Sequence, residues 1–119
     1  MSAAKTCIIR EKVWGDVMAY HSKLKDPFVD ALFEAVLSLE TVEECYRFFE
    51  DICTIKEIQS ISQRLAVARL LKEGKTYSDI EKLTGASTAT ISRVNRCLQY
   101  GADGYQLILA RMESRQDES

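Results

Sequence analysis

The stretch GASTATISRVNRCL, residues 85–98, gathers the side chains with the most distinctive chemistry in this 119-residue chain. Ser87, Thr88, Ala89, Thr90 and Ser92 offer hydroxyls and methyls without bulk, and Arg93 and Arg96 follow directly. Short hydroxyls make single or water-bridged hydrogen bonds to base edges, and methyl groups can touch the thymine methyl. Arginine adds a permanent charge and a fork of donors suited to phosphate. These groups suit contact with an anionic polymer. They do not suit bond breaking: His21 is the one histidine, no nucleophile stands at a fixed spacing from a base, and no glycine-rich phosphate loop occurs. The residues predict a binding protein, with no catalysis, no metal and no cofactor.

Net charge is −2, which alone argues against a nucleic-acid partner. The charge is segregated, however. Residues 1–53 hold six Lys/Arg against ten Asp/Glu, residues 54–98 hold eight against four, and residues 99–119 hold two against four. The positive block coincides with the hydroxyl-rich stretch, the expected footprint of an anionic partner. Cys7, Cys45, Cys53 and Cys97 form no C-x-x-C pair, and are expected to be reduced thiols, mostly buried as small apolar residues on helices. Apolar runs are too short for a membrane span, and charge interrupts CIIREKVWGD before a signal-peptide core builds up; a cytoplasmic location is expected.

The elements that must position these residues read as helices. Asp26 before Pro27 is an N-cap followed by proline at the first helical position, with Phe28, Leu32, Ala35, Val36 and Leu39 at helical spacing. Thr41 and Glu44 have capping-box spacing, and Val42, Cys45, Tyr46, Phe49 and Cys53 mark an apolar face. The longest helix carries the stripe Ile55, Ile58, Ile61, Leu65, Ala68, Leu71 and stops at Gly74. A short helix follows, with Ser78 and Glu81 again at capping-box spacing, then Gly85, then a helix beginning at Ser87 and ending near Gly101. A last helix, DGYQLILARMESR, is expected to fray into a polar tail, 115–119. No segment alternates with period two, so the fold class is all-α. Residues 1–25 read as an N-terminal helix or arm, and 26–114 as the main domain.

Two short helices joined by a glycine-containing turn are a helix-turn-helix, here at about 77–98. Ile80 and Leu83 are expected to face inward from the first helix. Gly85 occupies the turn, where positive φ favours glycine, and Ala86 fills the elbow. Ser87 caps the second helix, which Ile91, Val94 and Leu98 anchor. The first turn of such a helix enters the major groove, which accounts for its small residues. Thr88, Ala89, Thr90 and Ser92 are the candidate base-reading residues, and Lys75, Lys82 and Arg96 the candidate phosphate contacts, with Ser78 and Ser87 completing the DNA-binding set. Asp79 and Glu81 break the pattern by placing negative charge on the approaching face.

ECYRFFEDICTIKEIQSISQR, LLKEGKTYSDIE and TGASTATISR together resemble the TrpR-like YerC/YecD family, relatives of the bacterial tryptophan repressor; the resemblance spans about residues 30–109. It implies a Trp-repressor-like helical bundle forming an intertwined homodimer, with two helix-turn-helix heads set for successive major grooves of double-stranded DNA. It also implies an effector pocket, whose matching residues are Thr54, Arg64 and Arg93. Val94 stands where relatives have the glycine beneath the indole ring, and Cys97 where they have serine. Tryptophan is therefore not the expected corepressor, and Arg64 and Arg93 are left to pair with acids such as Glu57 or to hold another small effector. The function expected is a sequence-specific transcriptional regulator, a repressor. The alternative is an interaction module that keeps the scaffold without specific DNA readout.

Overall fold

A computed structural model describes residues 20–118, and six helices follow one another there without any strand among the described residues. They are α1 (Pro27–Leu37), α2 (Val42–Ile52), α3 (Ile55–Lys72), α4 (Tyr77–Thr84), α5 (Thr88–Tyr100) and α6 (Gly104–Glu118). The N-terminal helix or arm expected over 1–25 lies mostly outside the described residues; 20–26 form turns and irregular chain. None of the described helices is long and apolar enough to cross a membrane.

Local chemistry sets most helix starts. The Asp26 carboxylate accepts from the N–H groups of Phe28 and Val29, at 2.9 and 3.2 Å, with Pro27 at the first position as expected. Thr41 Oγ1 accepts from Glu44 N–H at 3.1 Å, but the Glu44 carboxylate reaches one residue further back, to Glu40 N–H at 2.9 Å. A complete capping box opens α3 instead: Glu57 N–H donates to Thr54 Oγ1 at 3.1 Å, and Thr54 N–H donates to the Glu57 carboxylate at 2.8 Å.

The expected cap at Ser78 is not the one used. Thr76 caps α4, accepting from Asp79 N–H at 3.2 Å, and Ser78 lies inside the helix. Both positions offer a hydroxyl. Starting at Tyr77 places Tyr77 and Ile80 three residues apart on one helix side, where both meet the core. The last helix also outruns its expected end, since α6 continues to Glu118 through most of the stretch read as a tail.

The chain divides into two compact units between Arg47 and Phe48, within α2. The first contains α1 and the start of α2. Neither α1 nor α2 buries any residue, and Phe28 is 86% exposed and Val42 73%. The second unit holds the core: Val67 and Ala68 from α3, Ile80 from α4, Ala86 from the turn, Ile91 and Val94 from α5, and Leu109 from α6. Full burial of one such aliphatic side chain contributes about 1.5–3 kcal/mol.

Two expectations about apolar faces fail. Leu83 is 66% exposed, because Tyr77, Ile80 and Thr84 take the covered side of this eight-residue helix and Leu83 falls outside it. The α3 stripe meets the core only from Leu65 onward; Ile55 is 74% and Ile61 51% exposed, and Ile58 is half-buried. The thiols are also less buried than expected: Cys45 and Cys53 are half-buried and Cys97 is exposed, all three free, while Cys7 lies outside the described residues.

Gly85 ends α4 with φ of +75°, and its N–H donates to Glu81 O at 2.9 Å. A Cβ built there meets nothing within 4 Å, so the requirement for glycine is one of backbone conformation alone. Gly85→Ala is expected to lower unfolding free energy by about 1–2 kcal/mol, read as a lower urea midpoint with unchanged slope.

Candidate nucleic-acid interface

The interface is built on the pair α4–α5, joined by Gly85, Ala86 and Ser87. Ala86 is buried in the elbow, as expected, where a larger side chain would separate the helices. Five side-chain hydrogen bonds then fix the pair. Thr84 Oγ1 donates to Ile80 O at 2.7 Å and accepts from Ala86 N–H at 3.1 Å, which closes the turn. Gln63 Nε2 donates to Thr84 O at 3.1 Å, tying α3 to the end of α4. Asn95 Nδ2 donates to the Tyr77 hydroxyl at 3.3 Å, tying α5 to the start of α4. Across the turn, the Thr88 hydroxyl donates to the Glu81 carboxylate. Glu81 thus partners the recognition helix and not Ser78.

Ser87 caps α5 as expected, accepting from Thr90 N–H at 3.2 Å, and its hydroxyl donates to Thr90 Oγ1 at 3.1 Å. Ile91 and Val94 point into the core, with Leu98 half-buried beside them. The opposite side carries Thr88, Ala89, Ser92, Arg93 and Arg96, all exposed, while Thr90 is half-buried at its edge. Lys82, in the last turn of α4, and Ser78, in its first, are also exposed. Lys75 is exposed in the connection between α3 and α4. On this helix the anchors Ile91, Val94 and Leu98 and the Ser87 cap therefore lie where spacing puts them, while Thr90 is less exposed than the other hydroxyls.

The residues matched to an effector pocket are not gathered in the same way. Thr54 is the N-cap of α3 and Arg64 lies ten residues later on that helix, about 15 Å along its axis. Arg64 Nη1 donates to Ser60 Oγ at 2.9 Å, and Glu57, offered as its acid partner, is held in the Thr54 capping box. Arg93 and Cys97 are exposed, while Val94 is 1% exposed and belongs to the core. A shallow cavity of about 120 Å³ lies elsewhere, between Arg69 and Lys72 of α3 and Leu109 and Met112 of α6.

Residues 28–113 match the Trp repressor protein family. The chain belongs to that family. It is 60% identical, over 97 residues covering 82% of its length and 93% of the relative, to the uncharacterised protein YerC of Bacillus subtilis (strain 168). Its fold resembles that of a Staphylococcus aureus protein described as a candidate Trp repressor, with a TM-score of 0.74 and 59% identity over 76% of this chain and 91% of that one. A TrpR like protein from Eubacterium eligens ATCC 27750 is similar to the same degree, with a TM-score of 0.74 and 58% identity over 76% and 94%. Trp repressor family members bind DNA and are not enzymes.

Several residues that hold this Trp repressor-type head together went unassigned in the sequence. Thr54 with Glu57 repeats the T-x-x-E capping spacing, a signal present in TIKE. Gln63, Tyr77 and Asn95 carry no such signal, since their partners lie eighteen or more residues away. The Thr54 N–H and hydroxyl, in that order, hold the Glu57 carboxyl below its ordinary value of 4.5, slightly opposed by desolvation. A lowered pKa means that the stabilisation is present above the ordinary carboxylate range and lost as pH falls through the lowered value. Glu57→Gln, which keeps an acceptor but cannot titrate, should lose less stability than the wild type between pH of about 7 and about 3, measured by urea melts at both.

Proposed function

We propose that the chain is a sequence-specific DNA-binding transcriptional regulator, a repressor, acting as a homodimer on double-stranded DNA. One observation carries this reading: the buried anchors Ile91 and Val94 leave the small, hydroxyl-bearing first turn of α5 exposed beside Lys82 and Arg96. Small residues let a helix backbone approach base edges, and flanking cations neutralise phosphates. Thr88, Ala89, Thr90 and Ser92 face the bases; Lys75, Lys82 and Arg96 touch the backbone.

The homodimer is supported by apolar surface that one chain leaves in water. Phe28, Val42, Tyr46 and Ile55 are all mainly exposed on α1, α2 and the start of α3. Large exposed apolar side chains on each unit mark interaction surfaces, and a second copy is the commonest occupant. The distance along α3 between Thr54 and Arg64 also supports it, since one small ligand contacting both would take them from different chains.

Tryptophan is not the corepressor on this reading. The residue matching the ring-bearing glycine of relatives is Val94, whose side chain is fixed in the core, and Arg64 is held by Ser60.

The test is a binding titration on genomic fragments at two salt concentrations. Selection of particular sequences and affinity falling with salt are expected, whereas binding without either would leave only an interaction module. Lys82→Ala should weaken all sequences alike and reduce the salt slope by about 1 per head, with the dimer intact by sedimentation. L-tryptophan should leave the melting temperature unchanged; a saturable rise would restore it as a ligand.

A further inference from the structure

Glu81, like Asp79, carries a charge that the proposed function does not use, and unlike Asp79 its side chain is bonded to the second helix of the motif. Its carboxylate lies across the turn from α5 and accepts the hydroxyl hydrogen of Thr88, the first residue of that helix. Both residues are exposed, so neither the bond nor its geometry is imposed by core packing. A threonine hydroxyl has one hydrogen and two lone pairs. With the hydrogen committed to Glu81, Thr88 Oγ1 has only acceptor capacity left for anything that approaches from outside.

The neighbouring hydroxyl has the opposite polarity. Thr90 Oγ1 accepts from the Ser87 hydroxyl, so its own hydrogen stays available to donate. Two threonines in the same turn, identical in composition, thus present different faces to a ligand. Base pairs differ in the major groove by this same property: cytosine N4 and adenine N6 donate, while guanine O6 and thymine O4 accept. An acceptor-only Thr88 beside a carboxylate attracts an amino group and repels a carbonyl oxygen.

We propose that Glu81 is a specificity-determining positioning residue. By holding the Thr88 hydroxyl hydrogen, it makes Thr88 select a base with an exocyclic amino group, cytosine or adenine, over guanine or thymine at one position of each half-site. This rests on the DNA-binding function proposed above. It also accounts for a negative charge on a surface that must approach phosphate: the charge serves base selection at the expense of general affinity.

The experiment is selection of bound sequences from a randomised duplex pool, followed by titration of single-base variants, for the full-length wild type, Glu81→Ala, Thr88→Val and Asp79→Ala. Circular dichroism and sedimentation establish that each variant is folded and in the same oligomeric state. The wild type should prefer cytosine or adenine at one half-site position by about tenfold, as a single-position mismatch typically does. Glu81→Ala frees the hydroxyl to rotate and donate, and Thr88→Val removes it, so both should bring that preference close to parity with other positions unchanged. Asp79→Ala, which removes a neighbouring charge without touching Thr88, should raise affinity for all sequences and keep the preference. Retention of the wild-type preference by Glu81→Ala or Thr88→Val overturns the proposal, as does loss of it in Asp79→Ala. A wild type that selects no sequence overturns the DNA-binding function itself, a separate result.

Discussion

Close packing of Ile80 and Ile91 against Val67, Ala68 and Val94 is the contact on which everything at the interface depends. It joins three helices at one place, and it works because the residues between them are small. Ala68 and Ala86 let backbones approach to a distance at which two isoleucines fill the remaining space. With so few buried residues, each has no substitute nearby, and loss of volume at Ile80 or Ile91 would be felt directly as a change in the angle between α4 and α5. The hydrogen bonds of Thr84, Gln63 and Asn95 sit around this contact and refine an arrangement that packing has already chosen.

The same economy has a consequence for the rest of the chain. Among the described residues seven side chains are buried, all in the second unit, which is a small core. Large apolar side chains remain in water on α1, α2 and the first half of α3. A helix draws most of its stability from its packed face. The first half of α3 has its Thr54–Glu57 capping box to start it but little core to hold it, unlike the half that carries Val67 and Ala68.

How much of this was legible in the sequence follows the range of the forces involved. Asp26–Pro27, the Ser87 cap and the Gly85 turn were readable because each is settled within a few residues. The inward positions Ile80, Ile91 and Val94 were readable from helical spacing. Thr76 and Ser78 offer equivalent hydroxyls two residues apart, and only the packing of Tyr77 on the core, beyond the reach of local sequence, separates them. The same periodicity points Leu83 inward, and cannot say that Tyr77, Ile80 and Thr84 take the covered side of so short a helix. The Glu81–Thr88 and Tyr77–Asn95 bonds cross between helices and have no local signal at all. Nor does spacing reveal that Ile55 and Ile61 of the α3 stripe are mainly exposed.

The placement of the anchors on α5 has a mechanical consequence. Thr88 and Ala89 lie at one end of the helix, Arg96 and Cys97 toward the other, and the buried Ile91 and Val94 sit between them. A thirteen-residue α-helix behaves as a stiff rod about 20 Å long. Held by Ile91, Val94 and the partly buried Leu98, and by Asn95 bonded to Tyr77, it is fixed as one piece to the core and to the start of α4. The two ends cannot be displaced independently without breaking backbone hydrogen bonds.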